Sequence, residues 1–69
     1  MEEVLTYREQ NIEYKGKRIR CIHMEDKFPV PDGTEGTVTS VDDAGTIHVK
    51  WDNGSTLGLV QGVDRYQFV

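Results

Sequence analysis

The chain has little of what usually staples a small protein. A single cysteine among 69 residues rules out an intrachain disulfide, and no Cys/His set has the spacing of a structural zinc site. No metal or cofactor is therefore expected. No apolar run approaches the ~20 residues that cross a bilayer, so no membrane contact is expected either. The lone thiol and the lack of a signal-peptide pattern predict the cytoplasm. A basic excess is missing too. Twelve acidic residues stand against eight basic ones, for a net charge of −4, the wrong sign for a general nucleic-acid binder. A chain this short buries only roughly 60% of the surface its unfolded form exposes. Its stability must come from one compact core, from a partner, or from a second copy of itself.

What is present is punctuation. From position 29 onward, turn residues recur roughly every 8 to 12 positions, the rhythm of a small all-β fold. The intervening stretches predict strands over 18–24, 35–41, 46–51, 55–60 and 65–69. The connectors are "EDKFPVPDGT", "DDAG", "DNG" and "QGVD". One strand, a long Pro/Gly loop, a tight three-strand meander, a short helical turn at "QGVDR" and a closing strand make the order of an SH3-like barrel. Residues 17–69 are assigned to that five-stranded barrel and residues 1–16 to an N-terminal arm.

Directly opposed residues of paired strands share a face, and this parity discriminates between loop lengths. In "TIHVKWDNGSTLGLV", a two-residue Asn53-Gly54 turn would set Lys50 opposite Leu57, mixing charge with leucine. A three-residue Asp52-Asn53-Gly54 loop, with Gly54 as a left-handed bulge, sets Trp51 opposite Ser55, Val49 opposite Leu57 and Ile47 opposite Leu59. All the large apolar groups then fall on one side, and the three-residue loop is preferred. For the preceding hairpin, a four-residue Asp42–Gly45 loop pairs Val38 with Val49 and Gly36 with Trp51. A three-residue loop would turn Val41 inward and leave Val38 outside. The four-residue form is preferred because it gives Gly36 a purpose, as the place where the Trp51 ring lies over a strand without a side chain.

The arm "MEEVLTYREQNIEYKG" is ambiguous. Val4, Leu5, Arg8 and Ile12 fit loosely on a helix with Glu2 and Glu3 at its positive end, whereas Ile12 and Tyr14 alternate like a strand. A short extra strand or irregular arm is expected, with a short helix as the alternative.

Three stretches carry a resemblance: Pro31 to Val38 (P-x-G-T-x-G-T-V), Val41 to Ser55 (V-D-D-x-G-x-I-H-V-x-W-D-N-G-S) and Gly62 to Tyr66 (G-x-D-R-Y). Together they resemble a family of short bacterial and phage proteins known only as a domain of unknown function. The resemblance implies an SH3-like barrel and an origin in phage or other mobile elements. It supplies no activity, and residues 1–16 fall outside it.

Candidate chemistry is sparse. Cys21 and His23 are expected on one strand face, but with His48 pointing outward elsewhere they make too few convergent ligands for zinc. Nothing suggests the third group and oxyanion site that a Cys–His nucleophile needs. The pairs Asp42/Asp43 and Asp52/Asn53 are explained by hydrogen bonding to turn backbone. No enzymatic activity is expected. Arg65 is read as pairing with Asp64 or with an acidic loop, in a buried Arg–carboxylate clamp at the barrel seam.

A binding role rests on Phe28, Pro29, Pro31 and Asp32 of the long loop, with Tyr66 and Trp51 at the barrel end. Parity sends Trp51 inward and favours a core plug, with its place beside a turn leaving partial exposure as the alternative. The expected function is a protein-binding module, acting on a host protein if its origin lies in phage. The alternative is a nucleic-acid-associated module using Lys15, Lys17, Arg18 and Arg20, a cluster equally accounted for by a solvated strand face.

Overall fold

The computed structural model describes residues 5–69. Glu2, Glu3 and Val4, invoked above for a helical arm, lie outside them. A helix α1 (Tyr7–Tyr14) precedes five strands: β1 (Arg18–His23), β2 (Glu35–Val41), β3 (Thr46–Trp51), β4 (Leu59–Val60) and β5 (Arg65–Phe68). All pairings are antiparallel within one sheet of order β4-β3-β2-β1-β5. Among the described residues β4 does not pair with β5, so the sheet stays open where a closed barrel was expected. Among the described residues no helix is long and apolar enough to cross a membrane.

Both hairpin loops use one device. Asp42 N–H donates to the Thr46 carbonyl and Gly45 N–H to the Asp42 carbonyl; Trp51 N–H donates to Ser55 and Gly54 N–H to Trp51 in the same pattern. Each is a three-residue loop closed by a glycine at φ near +90°, Gly45 at 88° and Gly54 at 90°. The Asp52–Gly54 loop is thus as expected, and Ile47 opposes Leu59. The other loop is Asp43–Gly45, one residue shorter than expected, yet Val38 still opposes Val49 and Gly36 still opposes Trp51. A bulge at Thr39, between Val38 and Ser40, reconciles the two. The extra residue resets the parity, so Val38 and Val41 both face the core.

The core joins Ile19 and Cys21 of β1 to Val38, Val41, Ile47, Val49, Trp51 and Leu59, with Met24 and Val30 contributed by the long loop. Trp51 is 2% exposed, and its indole N–H donates to the Leu57 carbonyl at 2.8 Å. That bond accounts for the shortness of β4, expected over 55–60. The Leu57 carbonyl is drawn to the indole, and pairing with β3 resumes only at Leu59. Gly36 meets close approach by the backbone of the paired strand and the Val49 side chain rather than by the Trp51 ring. A Cβ there would lie 2.7 Å from the Lys50 oxygen and 2.9 Å from the Trp51 Cα.

The arm is a helix, not the expected strand. Thr6 caps it: its hydroxyl accepts from Glu9 N–H at 3.1 Å, and its own N–H donates to Glu9 Oε1 at 3.0 Å. Its faces are inverted. Gln10 is buried, while Ile12 is 77% exposed. Polar side chains do the docking: Asn11 Oδ1 accepts from Val41 N–H at 2.8 Å, and Gln61 Nε2 bridges Gln10 Oε1 and the Gly45 carbonyl. At the C-terminal end the Tyr14 ring packs on Phe68, centroids 4.7 Å apart.

Candidate functional site: the β1–β2 loop and the β5 concavity

The loop between β1 and β2 is long, and its path is held throughout. At its base Cys21 N–H donates to Thr34 and Gly33 N–H to the Cys21 carbonyl, at 2.8 and 2.7 Å. Met24 and Val30 bury their side chains on either side of the tip. Between them, Phe28 N–H donates to Asp26 Oδ1 at 2.9 Å, a local turn of the kind aspartate favours. With both flanks anchored inward, the tip turns outward. Phe28 is 76% exposed, with the Lys27 ammonium 5.8 Å from its ring centroid. The loop's contribution to the core comes from Met24 and Val30, not from Phe28. Pro29, Pro31 and Asp32 are exposed beside it. His23 stands between Glu25 and Asp32, 3.4 Å from a carboxylate oxygen of each.

A second feature lies along β5. Ile22, Gly62, Asp64, Arg65, Tyr66 and Gln67 line an open concavity of about 650 Å³. Tyr66 opposes Cys21 and is half-buried; burial, with Tyr14 nearby, raises the pKa of its phenol. Phe28 does not line this concavity, so the loop tip and Tyr66 are separate features. Trp51 joins neither, because it is buried in the core.

Asp64 connects the two regions. It is only 7% exposed, and its two oxygens accept from Glu25 N–H at 2.8 Å and Val60 N–H at 2.7 Å. The seam clamp expected from "GVDRY" is therefore carboxylate to backbone amide. Arg65 is exposed and makes no ion pair among the described residues. The sequence pattern points to a buried carboxylate here but not to its partners, the amides of Glu25 and Val60 rather than the Arg65 guanidinium.

Three of the four clustered cations are engaged. Lys17 pairs with Glu13 at 3.1 Å, Arg18 holds Asp52 with both guanidinium nitrogens, and Arg20 meets Glu35 at 3.0 Å. The Asp52 partner raises the Arg18 pKa, and Arg18 in turn holds Asp52 below the ordinary carboxylate value. Lys15 is exposed and has no ion-pair partner among the described residues.

Cys21 and His23 do not share an environment as expected. A register shift between them leaves Cys21 buried, its thiol pKa raised mainly by desolvation, and His23 exposed. His48 does face outward, where its Nε2 lies 2.8 Å from Asp42 Oδ2. Asp42 also accepts from Ala44 and Thr46 N–H, and Asn53 from Ser55 N–H, as turn residues do.

Fold and loop together define a small β-rich domain, one open sheet with one helix, that holds an aromatic side chain out on a braced loop. The chain belongs to the family described as Domain of unknown function (DUF4314), whose model matches residues 3–69. That match takes in helix α1, well beyond the stretches on which the resemblance was recognised. No curated protein and no solved structure matches the chain.

Proposed function

We propose that this chain is a small protein-binding module without catalytic activity, docking through the tip of its β1–β2 loop. The observation that carries this reading is the 76% exposure of Phe28 on a loop braced by buried Met24 and Val30. A large apolar ring on an already ordered segment buries area in a partner's pocket with little further loss of freedom. Pro29 and Pro31 stiffen the same stretch. Glu25, Asp26 and Asp32 outnumber Lys27 around it, which favours a partner whose pocket has a basic rim.

We read the sheet as an opened SH3-like barrel. Its order β5-β1-β2-β3-β4, its long β1–β2 loop and the turn between β4 and β5 support that description. From the resemblance to short phage and bacterial proteins, we place it as a phage or mobile-element accessory protein acting on a host protein in the cytoplasm. The nucleic-acid alternative has less support, because Lys17, Arg18 and Arg20 are already neutralised by carboxylates.

Affinity capture from the native cell tests the reading, with Phe28→Ala run beside the unaltered chain. Because Phe28 is exposed, the variant should unfold at the same urea concentration. A partner retained by the unaltered chain and lost by the variant supports the loop as the interface. Equal retention by both places the interface elsewhere.

A further inference from the structure

The sheet has two edges, and they are treated differently. On β4 the Val60 N–H, which points away from β3, is taken up by the buried Asp64 carboxylate. That edge is blunted by an internal group. On β5 no described group plays this part. Val69 N–H donates to the Arg18 carbonyl, and the ladder runs Ile19↔Phe68, Arg20↔Gln67, Cys21↔Tyr66. In an antiparallel pair the bonded positions alternate. Gln67 and Val69 therefore direct their backbone groups toward β1, and Tyr66 and Phe68 direct theirs outward, where no described backbone group meets them. The strand "RYQF" has no proline and only one charge, Arg65 at its first position.

We infer that the free edge of β5 is an interface for a second copy of this chain, joined antiparallel about a twofold axis through Gln67. In that register Tyr66 of one copy opposes Phe68 of the other, and each such pair exchanges both of its N–H···O bonds. The outward-facing groups of one edge then match those of the other. Side chains agree with this. Tyr66 and Phe68 stand on the core face of the sheet, already edge-on at 6.1 Å with Tyr14 behind Phe68, so the join sets aromatic against aromatic. Arg65 falls opposite Val69, and no like charges meet. Gln67 meets its own copy in the narrow, non-bonded position on the outer face. A four-residue strand makes a contact smaller than the standard ~1,600 Å² interface, so the dimer is reversible and grows with concentration. This inference stands apart from the Phe28 loop, and either can fail alone.

The test is sedimentation velocity over a concentration series, with amide spectra recorded alongside. The unaltered chain should pass from monomer to dimer, with Tyr66 and Phe68 amides shifting most. Gln67→Lys sets two ammonium groups face to face and should leave monomer at every concentration. Because Gln67 is exposed, the variant keeps its fold, checked by its unfolding midpoint. Mixing Gln67→Lys with Gln67→Glu should restore a dimer containing one copy of each. A chain that stays monomeric up to millimolar concentration overturns the inference. So does a dimer that survives Gln67→Lys unchanged, or a mixture that restores nothing.

Discussion

Asp64 and Val60 stand four residues apart, and the carboxylate of the first caps the outward N–H of the second at 2.7 Å. Its other oxygen reaches Glu25 N–H, at the start of the long loop. One buried acid thus protects an edge strand and fastens the loop that presents Phe28. Without it, the open edge of the sheet would leave both amides without a protein acceptor among the described residues.

Asp64→Asn keeps the shape but turns an NH₂ toward one of those donors. The expected cost is on the order of 2 kcal/mol in urea unfolding. Hydrogen exchange locates it: Val60 and Glu25 amides should lose protection while the β2–β3 ladder keeps its own.

Trp51 fills the core and serves the Leu57 carbonyl at once. Trp51→Phe keeps an aromatic ring but strands that acceptor, for about 1–3 kcal/mol. Trp51→Ala should cost about 3–5 kcal/mol through the cavity it leaves. If Trp51→Phe proved neutral, the bond to Leu57 would not be what shortens β4.

Gly36→Ala brings a methyl within 2.7 Å of the Lys50 oxygen and 2.9 Å of the Trp51 Cα. Both belong to the backbone of the paired strand and cannot swing aside. A loss of about 1–3 kcal/mol is expected, read as a lower urea midpoint.

Stability should fall in acid through two exposed pairs. His48 and the Thr46 amide lower the Asp42 pKa, and Arg18 lowers that of Asp52. As pH drops, the unfolded chain takes up these protons first. The stabilisation is therefore complete above the ordinary carboxylate range and is lost from about pH 4 downward. The slope of the unfolding midpoint against pH should flatten in Asp42→Asn and in Asp52→Asn.

The positions of β1, β2, β3 and β5 are legible in the sequence because turn chemistry and two-residue periodicity are local. The Asp-Asn-Gly loop could be chosen over Asn-Gly from side-chain parity alone, and with it the inward face of Trp51. Helix α1 was not legible in this way. Its apolar Ile12 points to water and its Gln10 and Asn11 point in, the reverse of an amphipathic pattern. The bonds that hold it reach Val41 and Gln61, remote in sequence, and only the folded chain brings them close. The Thr39 bulge was hidden for a related reason. Parity treats Val38 and Val41 as exclusive choices, and burying both requires a local break in the ladder that the core enforces. The sequence by itself therefore determined β1, β2, β3 and β5, the Asp52–Gly54 loop and the side of the sheet that is oily, but neither the length of the Asp43–Gly45 loop nor that of β4. Tertiary structure decided what finishes the sheet: a helix docked by polar groups, a β4 edge capped by Asp64, and a last strand whose outer edge no described group pairs. Local preferences act over a few residues, whereas the bonds of Asn11 to Val41, Gln10 to Gln61 and Asp64 to Glu25 join groups 30 or more residues apart.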